Sequence, residues 1–304
     1  MIGNEVVKQL LQTGHKVQVL DLYPINFPGI VYFKGSILER DAVLRAMDGC
    51  EYVVHLAALL GVANSTQNPL ECLDVNILGT RNVLECCVQK KVKKIVFSSS
   101  SEVYGDPQKI PINEKDILQP KSEYGVSKVV GEEYIKAFSK KFNLNYTILR
   151  FFGVYGPLQA NNFVIPSFLH NVVHNKPLQV YGNGKQIRAF THVEDTAASV
   201  LVALFNEKAN GEIFNIGNHA TEITMFGLAE LVLRIAEKNE KPMLVPFENS
   251  DRTKEREIFK RVPDTTKART LLGFTAKVGL EEGIKKVLEH KKTSLSAYPF
   301  VGNS

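Results

Sequence analysis

Residues 97–128 read FSSSSEVYGDPQKIPINEKDILQPKSEYGVSK, and this stretch decides how the chain folds. Its first part predicts a strand that ends in a run of serines, including Ser100, followed by the carboxylate of Glu102. After a loop that contains three prolines, a predicted helix carries Tyr124 and Lys128. The stretch is therefore a strand, a loop and a helix that together present hydroxyl, carboxylate, phenol and ammonium groups.

Tyr124 and Lys128 are four residues apart, so both side chains lie on the same face of a helix. A nearby ammonium group favours phenolate, and we expect Lys128 to lower the pKa of Tyr124 from its usual value of about 10. Tyr124 is then a candidate acid and base, with Ser100 bound to the same oxygen. The same spacing between Tyr181 and Lys185 encloses Gly-Asn-Gly, a turn, so the spacing alone is not specific.

The segments around this stretch alternate between predicted strands and helices. Strands are predicted at residues 16–20, 30–33, 51–56, 94–98 and 145–150. The alternation is typical of a doubly wound, mostly parallel sheet, which binds ligands at the carboxyl ends of its strands. Asp21, Ala57, Ser100 and Phe152 stand at predicted strand ends, so we expect them to line one crevice.

The first residues resemble the second half of a dinucleotide-binding βαβ unit. A helix is predicted from about Gly3, followed by a strand that ends at Asp21, where an acidic residue holds the adenosine ribose. The first strand and the glycine-rich turn of such a unit would precede Gly3, but Met1 stands there. We therefore expect either a fragment or mis-started product, or weakened binding of the cofactor.

The composition shifts towards short elements and loops after residue 156. We expect residues 1–156 to form the dinucleotide-binding domain, with about 189–218 returning to it. Residues 157–304 then form mainly a smaller α+β lobe that binds the substrate. A guanidinium group binds two phosphate oxygens at once, and the arginines of this lobe that could do so are Arg188, Arg252, Arg256 and Arg261.

The bulk properties of the chain disfavour several classes of partner. The net charge is +5, and the cluster of Lys90, Lys91, Lys93 and Lys94 is more typical of a solvated face than of a nucleic-acid site. The apolar runs are far shorter than the roughly 18 residues of a membrane span, and no signal peptide is recognisable. The four cysteines lack Cys-x-x-Cys spacing, which indicates reduced thiols. We expect a cytoplasmic protein with no metal, nucleic-acid or membrane partner.

Further motifs appear in an order that resembles one family. They are VLDL at 19–22, HLAA at 55–58, DVNILGT at 74–80, SSSSEVYG at 98–105, YGVSK at 124–128, RAFTHVED at 188–195 and RVPDTTKARTLLGF at 261–274. On these motifs the chain resembles, over nearly its whole length, an extended short-chain dehydrogenase/reductase of the nucleotide-sugar epimerase and dehydratase family. The resemblance implies a Rossmann fold, NAD as cofactor and a nucleotide-diphosphate sugar as substrate. It is much less specific for the reaction.

The resemblance also implies a role for individual residues. The catalytic positions are Ser100, Tyr124, Lys128 and Glu102. The cofactor-binding positions are Gly3, Asp21, Ser36, Ile37, Leu56, Ala57, Ala58, Asn76, Ser98, Tyr124, Lys128 and Phe152. The substrate-binding positions are Ser100, Tyr124, Asn162, Phe163, Gln179, Tyr181, Arg188 and Arg256. Gly153 stands where the family often has asparagine, so we expect one substrate hydrogen bond to be lost or replaced.

The implied reaction is a transient oxidation of the sugar. Tyr124 takes a hydroxyl proton while hydride moves to NAD, and the ketone can then be reduced again from its other face. This predicts an NAD-dependent nucleotide-sugar 4-epimerase similar to UDP-glucose 4-epimerase. The triplet Ser100-Ser101-Glu102 lacks the aspartate of related dehydratases and is similar to that of UDP-glucuronate decarboxylases, the nearest alternative.

Two further expectations concern partners and activity. A family member that has lost catalysis and acts as a binding protein is a third possibility. The resemblance also implies a homodimer that forms through the two long helices predicted at residues 69–89 and 122–142.

Overall fold

The computed structural model describes residues 1–25, 27–60, 67–247 and 257–297. Its strands are β1 (Val17–Asp21), β2 (Ile30–Lys34), β3 (Tyr52–His55), β4 (Lys94–Ser100), β5 (Asn145–Phe151), β6 (Val154–Tyr155), β7 (Gln179–Tyr181), β8 (Ile187–Arg188), β9 (Thr191–His192), β10 (Glu212–Ile216), β11 (Ile223–Thr224), β12 (Met243–Val245) and β13 (Lys260–Arg261). Helices separate most of the longer strands.

The helices are α1 (Ile2–Gln12), α2 (Arg40–Ala46), α3 (Pro69–Leu73), α4 (Gly79–Gln89), α5 (Glu123–Phe142), α6 (Val164–Val173), α7 (Val193–Phe205), α8 (Met225–Ile235) and α9 (Leu280–Ala297). A π-helical stretch, Asp74–Leu78, joins α3 to α4. A single 3₁₀ turn, Ser101–Tyr104, follows β4 directly. Within the described part of the chain, none of the helices has both the length and the apolarity to cross a membrane.

Four parallel strands form the central sheet in the order β10, β5, β4, β3. Strand β4 is buried along almost its whole length, as expected for a parallel strand with helices on both faces. Val96 packs in the cluster that includes α1 and α7, whereas Ile95 and Phe97 pack in the cluster that includes α2, α4 and α5. The doubly wound, mostly parallel sheet predicted from the sequence is confirmed.

Strands β1 and β2 form a separate parallel pair, with Val17 opposite Ile30 and Asp21 opposite Lys34. In the ranges that the structure describes, no strand is hydrogen-bonded to the other edge of β1 or to the outer edge of β3. Helix α1 precedes β1 and packs against α7. The predicted helix and acidic strand end of the βαβ unit are thus both present beside an interruption in the sheet.

Most residues after β5 build a smaller group of helices and short strands. Helices α6, α8 and α9 share an apolar core that includes Leu169, Val232 and Ile284. Strand β7 pairs with β12, and β8 lies between β11 and β13. Strand β10 instead returns to the central sheet, where it pairs with β5. This second group faces the carboxyl ends of the central strands across a cleft.

A buried ion pair fixes helix α5 against the central sheet. Arg150 on β5 donates from Nε and Nη2 to the two carboxylate oxygens of Glu132 on α5, at 2.8 and 2.6 Å, and their side chains are 2% and 0% exposed. The Ser99 hydroxyl donates to Glu132 Oε1 at 2.5 Å, and Arg150 Nη1 donates to Tyr104 Oη at 2.8 Å. Each charge is therefore desolvated but hydrogen-bonded, which a buried pair requires.

Lys94 differs from the solvated lysine predicted at the start of β4. It is buried, and its Nζ donates to the carbonyl oxygens of Ala203 and Asn206 at 2.6 and 3.0 Å. These carbonyls belong to the C-terminal end of α7, where the helix dipole favours a cation. Lys90 and Lys93 do form surface ion pairs, with Asp48 and Glu51. The interpretation as one solvated face was wrong for Lys94.

We expect Glu132→Gln to lower the free energy of unfolding by about 3 to 5 kcal/mol, because it leaves the Arg150 charge buried without a counter-charge. Urea denaturation followed by circular dichroism measures this change. The matched control is Glu133→Gln, since Glu133 pairs with Lys136 on the surface and the loss of this pair is expected to change stability by less than about 0.5 kcal/mol. Equal denaturation midpoints for the two variants would contradict the assignment.

Candidate active site

A cavity of about 1730 Å³ extends between β1 and β3, along the carboxyl ends of the central strands and into the smaller group of elements. Two sets of predicted residues line it. The predicted catalytic and cofactor-binding residues among them are Gly3, Asp21, Ile37, Leu56, Ala57, Ala58, Ser98, Ser100, Glu102, Tyr124 and Lys128. The predicted substrate-binding residues are Asn162, Phe163, Gln179, Tyr181 and Arg188. The predicted residue Arg256 lies outside the described residues.

Local capping places the serine and the tyrosine side by side. The Ser100 hydroxyl accepts the backbone N–H of Glu102 at 3.2 Å and starts the 3₁₀ turn after β4. The Ser122 hydroxyl accepts the N–H of Gly125 at 3.1 Å and starts α5, as serine does at helix N-termini. A Cβ atom on Gly125 would lie 2.9 Å from the carbonyl oxygen of Glu102. The glycine therefore lets the first turn of α5 approach the strand end.

Tyr124 forms a hydrogen bond with Ser100, as predicted, but its pKa moves in the direction opposite to the prediction. Burial raises the pKa of Tyr124 above its usual value, and the negative charge of Glu102 raises it further. The hydrogen bond with Ser100 and the charge of Arg261 act in the other direction. The prediction that Lys128 lowers this pKa was wrong, because desolvation of the phenol dominates.

Lys128 is directed at the strand rather than at the phenol oxygen. Its Nζ donates to the carbonyl oxygen of Ser98 at 2.7 Å and lies 5.7 Å from the centroid of the Tyr124 ring. Burial lowers the pKa of Lys128 to about 8, while the charge of Glu132 acts to raise it. Lys128 thus retains most of its charge at neutral pH in a position that adjoins the cavity.

An ion pair that the sequence analysis missed lies beside the phenol. Glu102 pairs with Nη1 of Arg261 from β13, and both side chains are less than one-fifth exposed. Arg261 was noted only as one of the arginines of the smaller lobe. Arg261 is the first residue of the motif at 261–274, and this motif was the sequence signal that could have identified it. The sequence does not show that β13 reaches the end of β4.

A second arginine of the cavity is also held by a carboxylate. Arg188 Nη2 donates to Glu257 Oε1 at 2.5 Å, and both side chains are about nine-tenths buried. Glu257 was another residue that the sequence analysis did not identify. A diphosphate that binds to Arg188 therefore has to share or replace this carboxylate partner.

Three predicted cofactor-lining residues do not line the cavity. Asn76 is buried, and its side chain donates to the carbonyl of Leu59 at 3.0 Å and accepts the N–H of Leu59 at 2.8 Å, so it holds the loop after β3. Ser36 accepts the N–H of Leu38 and shapes the turn before α2. Phe152, which follows β5, is fully buried in a cluster with Val103, Tyr104 and Ile112. Each of these side chains is used within the fold, and the role of the three residues in cofactor binding stays a prediction.

Gly153 has a structural reason to be glycine. Its φ is +50°, and a Cβ atom at this position would lie 2.1 Å from the carbonyl oxygen of Ala189. The backbone conformation is one that side chains rarely adopt. Gly153 therefore lines the cavity with main-chain atoms alone, and it offers no side-chain hydrogen bond to a ligand.

The cofactor half of the cavity has features that fit a dinucleotide. Helix α1 presents its first residues, including Gly3, to the cavity, and no side chain in the described part of the chain caps its free N–H groups. A helix N-terminus of this kind favours phosphate. Asp21 lies at the exposed end of β1, and the small residues Ala57 and Ala58 follow β3. Among the described residues, no group of three or more His, Cys, Asp or Glu could hold a metal ion.

Comparison with known proteins agrees with this geometry. The profile of the NAD dependent epimerase/dehydratase family matches residues 1–217. The chain belongs to this family. This epimerase/dehydratase family member is 34% identical to a putative UDP-glucose 4-epimerase of Methanocaldococcus jannaschii over 96% of each chain. It is also 32% identical to the UDP-N-acetyl-alpha-D-glucosaminuronate decarboxylase of Bacillus cytotoxicus, over 95% of this chain and 94% of that protein.

Solved structures of the family have the same fold. The UDP-glucose 4-epimerase of Thermotoga maritima, solved with UDP-glucose, has a TM-score of 0.89 and 32% identity over 97% of this chain and 96% of that chain. The UDP-glucose 4-epimerase of Thermus thermophilus, solved with NAD, has a TM-score of 0.87 and 28% identity over 96% of each. The predicted Rossmann fold and family are confirmed. The relatives differ in reaction, so the family alone does not select one.

We expect Glu102→Gln to lower the pKa of Tyr124, since the variant removes a negative charge that disfavours the phenolate. The variant also frees the positive charge of Arg261 to act on the phenol. Carbon-13 NMR of protein labelled at tyrosine Cζ measures the titration without any assay of activity. The Tyr124 signal is identified by its absence from the spectrum of Tyr124→Phe. Asp106→Asn is the control, because Asp106 pairs with Lys121 on the surface. An unchanged Tyr124 titration in Glu102→Gln would contradict the assignment.

Proposed function

We propose that this chain is an NAD-dependent nucleotide-sugar 4-epimerase in which Tyr124 is the acid and base. The observation that carries the proposal is the continuous cavity, which joins Asp21 at one end to Arg188 at the other. Between them lies the Tyr124 phenol, with Ser100 hydrogen-bonded to it. A dinucleotide and a nucleotide-diphosphate sugar bound from opposite ends would meet at this phenol.

In the proposed reaction, Tyr124 transfers the proton and the residues around it control the protonation of its phenol. Tyr124 accepts the proton of the sugar 4-hydroxyl as the alcohol becomes a ketone, and it returns a proton when the ketone becomes an alcohol again. Ser100 holds the phenol oxygen, and the hydrogen bond with Ser100 and the charge of Arg261 favour the phenolate form against the effect of burial. Because burial raises the pKa of Tyr124, the phenol is protonated near neutral pH, and we expect turnover to increase as pH rises above 7.

The residues that line one half of the cavity fit NAD. We propose that Asp21 binds the adenosine ribose, the first turn of α1 at Gly3 adjoins the pyrophosphate, and Ala57 and Ala58 allow close approach. When bound, NAD supplies reversible acceptance of hydride from C4 of the sugar. We also propose that residues 1–156 and about 189–218 form the cofactor domain, and that the remainder of 157–304 mainly forms the substrate lobe.

The substrate half is proposed to bind the nucleotide diphosphate. Arg188 supplies the charge, while Asn162 and Gln179 supply amide groups and Phe163 and Tyr181 supply aromatic surface at the cavity wall. The Thermotoga maritima relative was solved with UDP-glucose, which makes a UDP-sugar the first substrate class to test. The base and the sugar are to be identified by assay.

A decarboxylase acting on a UDP-sugar acid is the second candidate, and one contact favours it. Arg261 lies beside Tyr124 and can exchange Glu102 for the carboxylate of a substrate. The Bacillus cytotoxicus relative named above is a decarboxylase.

Purified chain supplied with NAD is expected to convert UDP-glucose or UDP-N-acetylglucosamine to its four-epimer, as followed by NMR of the anomeric proton. Tyr124→Phe is expected to reduce kcat at least a hundredfold and to leave UDP-sugar binding, measured by calorimetry, nearly unchanged. Tyr134→Phe on the same helix is the control, because Tyr134 does not line the cavity. Full activity of Tyr124→Phe would contradict the mechanism.

The same assay separates the alternatives. Release of carbon dioxide from UDP-glucuronate, without any four-epimer, would assign the chain to the decarboxylases. Binding of a UDP-sugar without NAD retention or turnover would assign it to the third possibility, a binding protein that has lost catalysis.

We further propose that the chain forms a homodimer through α3, α4 and α5. These helices pack side by side, and the apolar residues Leu70, Leu78 and Val126 are 75%, 47% and 41% exposed. Sedimentation is expected to give a dimer mass, and Leu70→Glu is expected to weaken the dimer because it would bury a charge. A monomeric wild-type mass would contradict this proposal.

A further inference from the structure

Two histidines at the C-terminal end of helix α6 form a stacked pair. His170 and His174 are four residues apart, so their side chains lie on one face of the helix. Their ring centroids are 4.1 Å apart, and the ring planes are inclined by 35°. Both residues are half-buried, and neither lines the cavity of the candidate active site. The pair is therefore a cluster of metal-ligating groups that the proposed reaction does not use.

The hydrogen bonds of the pair leave a lone pair available on each neutral ring. Nδ1 of His174 donates to the carbonyl oxygen of His170 at 2.8 Å, so the lone pair of this ring is at Nε2. A backbone carbonyl is a common orienting partner of a metal-ligating histidine. Nδ1 of His170 lies 3.4 Å from Nδ2 of Asn161, which is longer than a good hydrogen bond. A cation can therefore replace Asn161 at His170 with little loss of hydrogen bonding.

A capping motif fixes the backbone that carries the pair. Asn175 has a left-handed conformation, with a φ of +53°. The N–H of Lys176 donates to the carbonyl oxygen of Asn171 at 2.8 Å, as in a Schellman motif. Lys238 Nζ donates to Oδ1 of Asn175 at 2.6 Å and ties the cap to the segment after α8. The two rings are therefore held in position before any ligand binds, which reduces the entropy that binding has to overcome.

The charges around the pair restrict the class of cation that it can bind. Lys291 of α9 donates from Nζ to Oδ1 of Asn161 at 2.7 Å, and the positive charges of Lys291 and Lys176 both act on His170. These two charges repel a cation, whereas the C-terminal end of the α6 dipole attracts one. A cation that relies on charge alone is thus disfavoured. A cation that forms strong direct bonds with imidazole nitrogen is the class that fits.

We propose that His170 and His174 together bind a divalent transition-metal ion, namely Zn²⁺, Ni²⁺ or Cu²⁺. Histidines at positions i and i+4 of a helix can bind the same metal ion. Within the ranges that the structure describes, no third His, Cys, Asp or Glu joins them, so water completes the coordination. Mg²⁺ and Ca²⁺ prefer oxygen ligands and do not fit the pair. The site is separate from the proposed NAD-dependent reaction and does not depend on it.

Calorimetric titration of the whole untagged chain with ZnCl₂ tests the proposal, and we expect saturable binding of one Zn²⁺ per chain. His170→Gln and His174→Gln are each expected to weaken Zn²⁺ binding at least about tenfold, because loss of even an indirect partner of a metal ligand has an effect of this size. His219→Gln is the matched control. His219 is exposed, and its ring contacts Thr265 rather than another histidine, so we expect unchanged affinity in this variant.

A second measurement locates the cation in the wild-type chain and does not depend on the folding of any variant. The chain has seven histidines, whose ring protons give separate NMR signals. Paramagnetic Ni²⁺, added as NiCl₂ in less than equimolar amount, is expected to broaden the signals of His170 and His174 first and together. An excess of MgCl₂ is expected to leave this broadening unchanged, because Mg²⁺ does not compete for imidazole nitrogen.

Several results would overturn the proposal. Wild-type affinity for Zn²⁺ in His170→Gln and His174→Gln would assign the metal to other ligands, and so would nickel broadening that begins at another histidine. Weaker binding in only one of the two variants would show that the rings do not act as a pair. Displacement of Ni²⁺ by Mg²⁺ would show that the cation is attracted by charge and is not bound by imidazole.

Discussion

The bidentate pair between Arg150 and Glu132 is the interaction on which the geometry of the site depends. A buried carboxylate and guanidinium are tolerated only when nearly every lone pair and N–H has a partner. Here Ser99 and Tyr104 supply the remaining partners. Glu132 is four residues after Lys128, so the position that satisfies the ion pair also fixes the face of α5 that meets the cavity. Slippage of the helix by one residue would break the pair. The pair therefore also fixes the positions of Tyr124 and Lys128 on the same helix.

The two arginines that line the site are each paired with a carboxylate of the protein. Arg188 pairs with Glu257, and Arg261 pairs with Glu102. Each guanidinium group is thus solvated by protein rather than by water, which keeps it oriented. An anionic ligand gains only the difference between its own contact and the carboxylate contact that it replaces. Such exchange favours ligands that offer two oxygens with matching geometry over a simple monovalent anion.

The sequence predicted positions along the chain well and side-chain direction poorly. Tyr124 and Ser100 were brought together correctly because helix periodicity and strand-end topology determine their neighbourhood. The sequence did not show that Asn76 and Phe152 have buried side chains, because a residue at a strand end or in a loop can point either into the cleft or into the fold, and packing decides. The direction of the Tyr124 pKa was wrong for a related reason. Spacing reveals a nearby charge, but it does not reveal desolvation, which was the larger effect.

The interruption between β1 and β3 bears on how the cofactor half of the cavity is held together. Asp21 lies on a two-stranded sheet that is connected to the central sheet by side-chain packing of α1 and α2 rather than by ladder hydrogen bonds. Elements attached in this manner open at lower free energy than a continuous sheet does. A ligand that contacts both Asp21 and Lys128 therefore spans the two sheets, and part of its binding free energy is used to fix the sheets relative to each other.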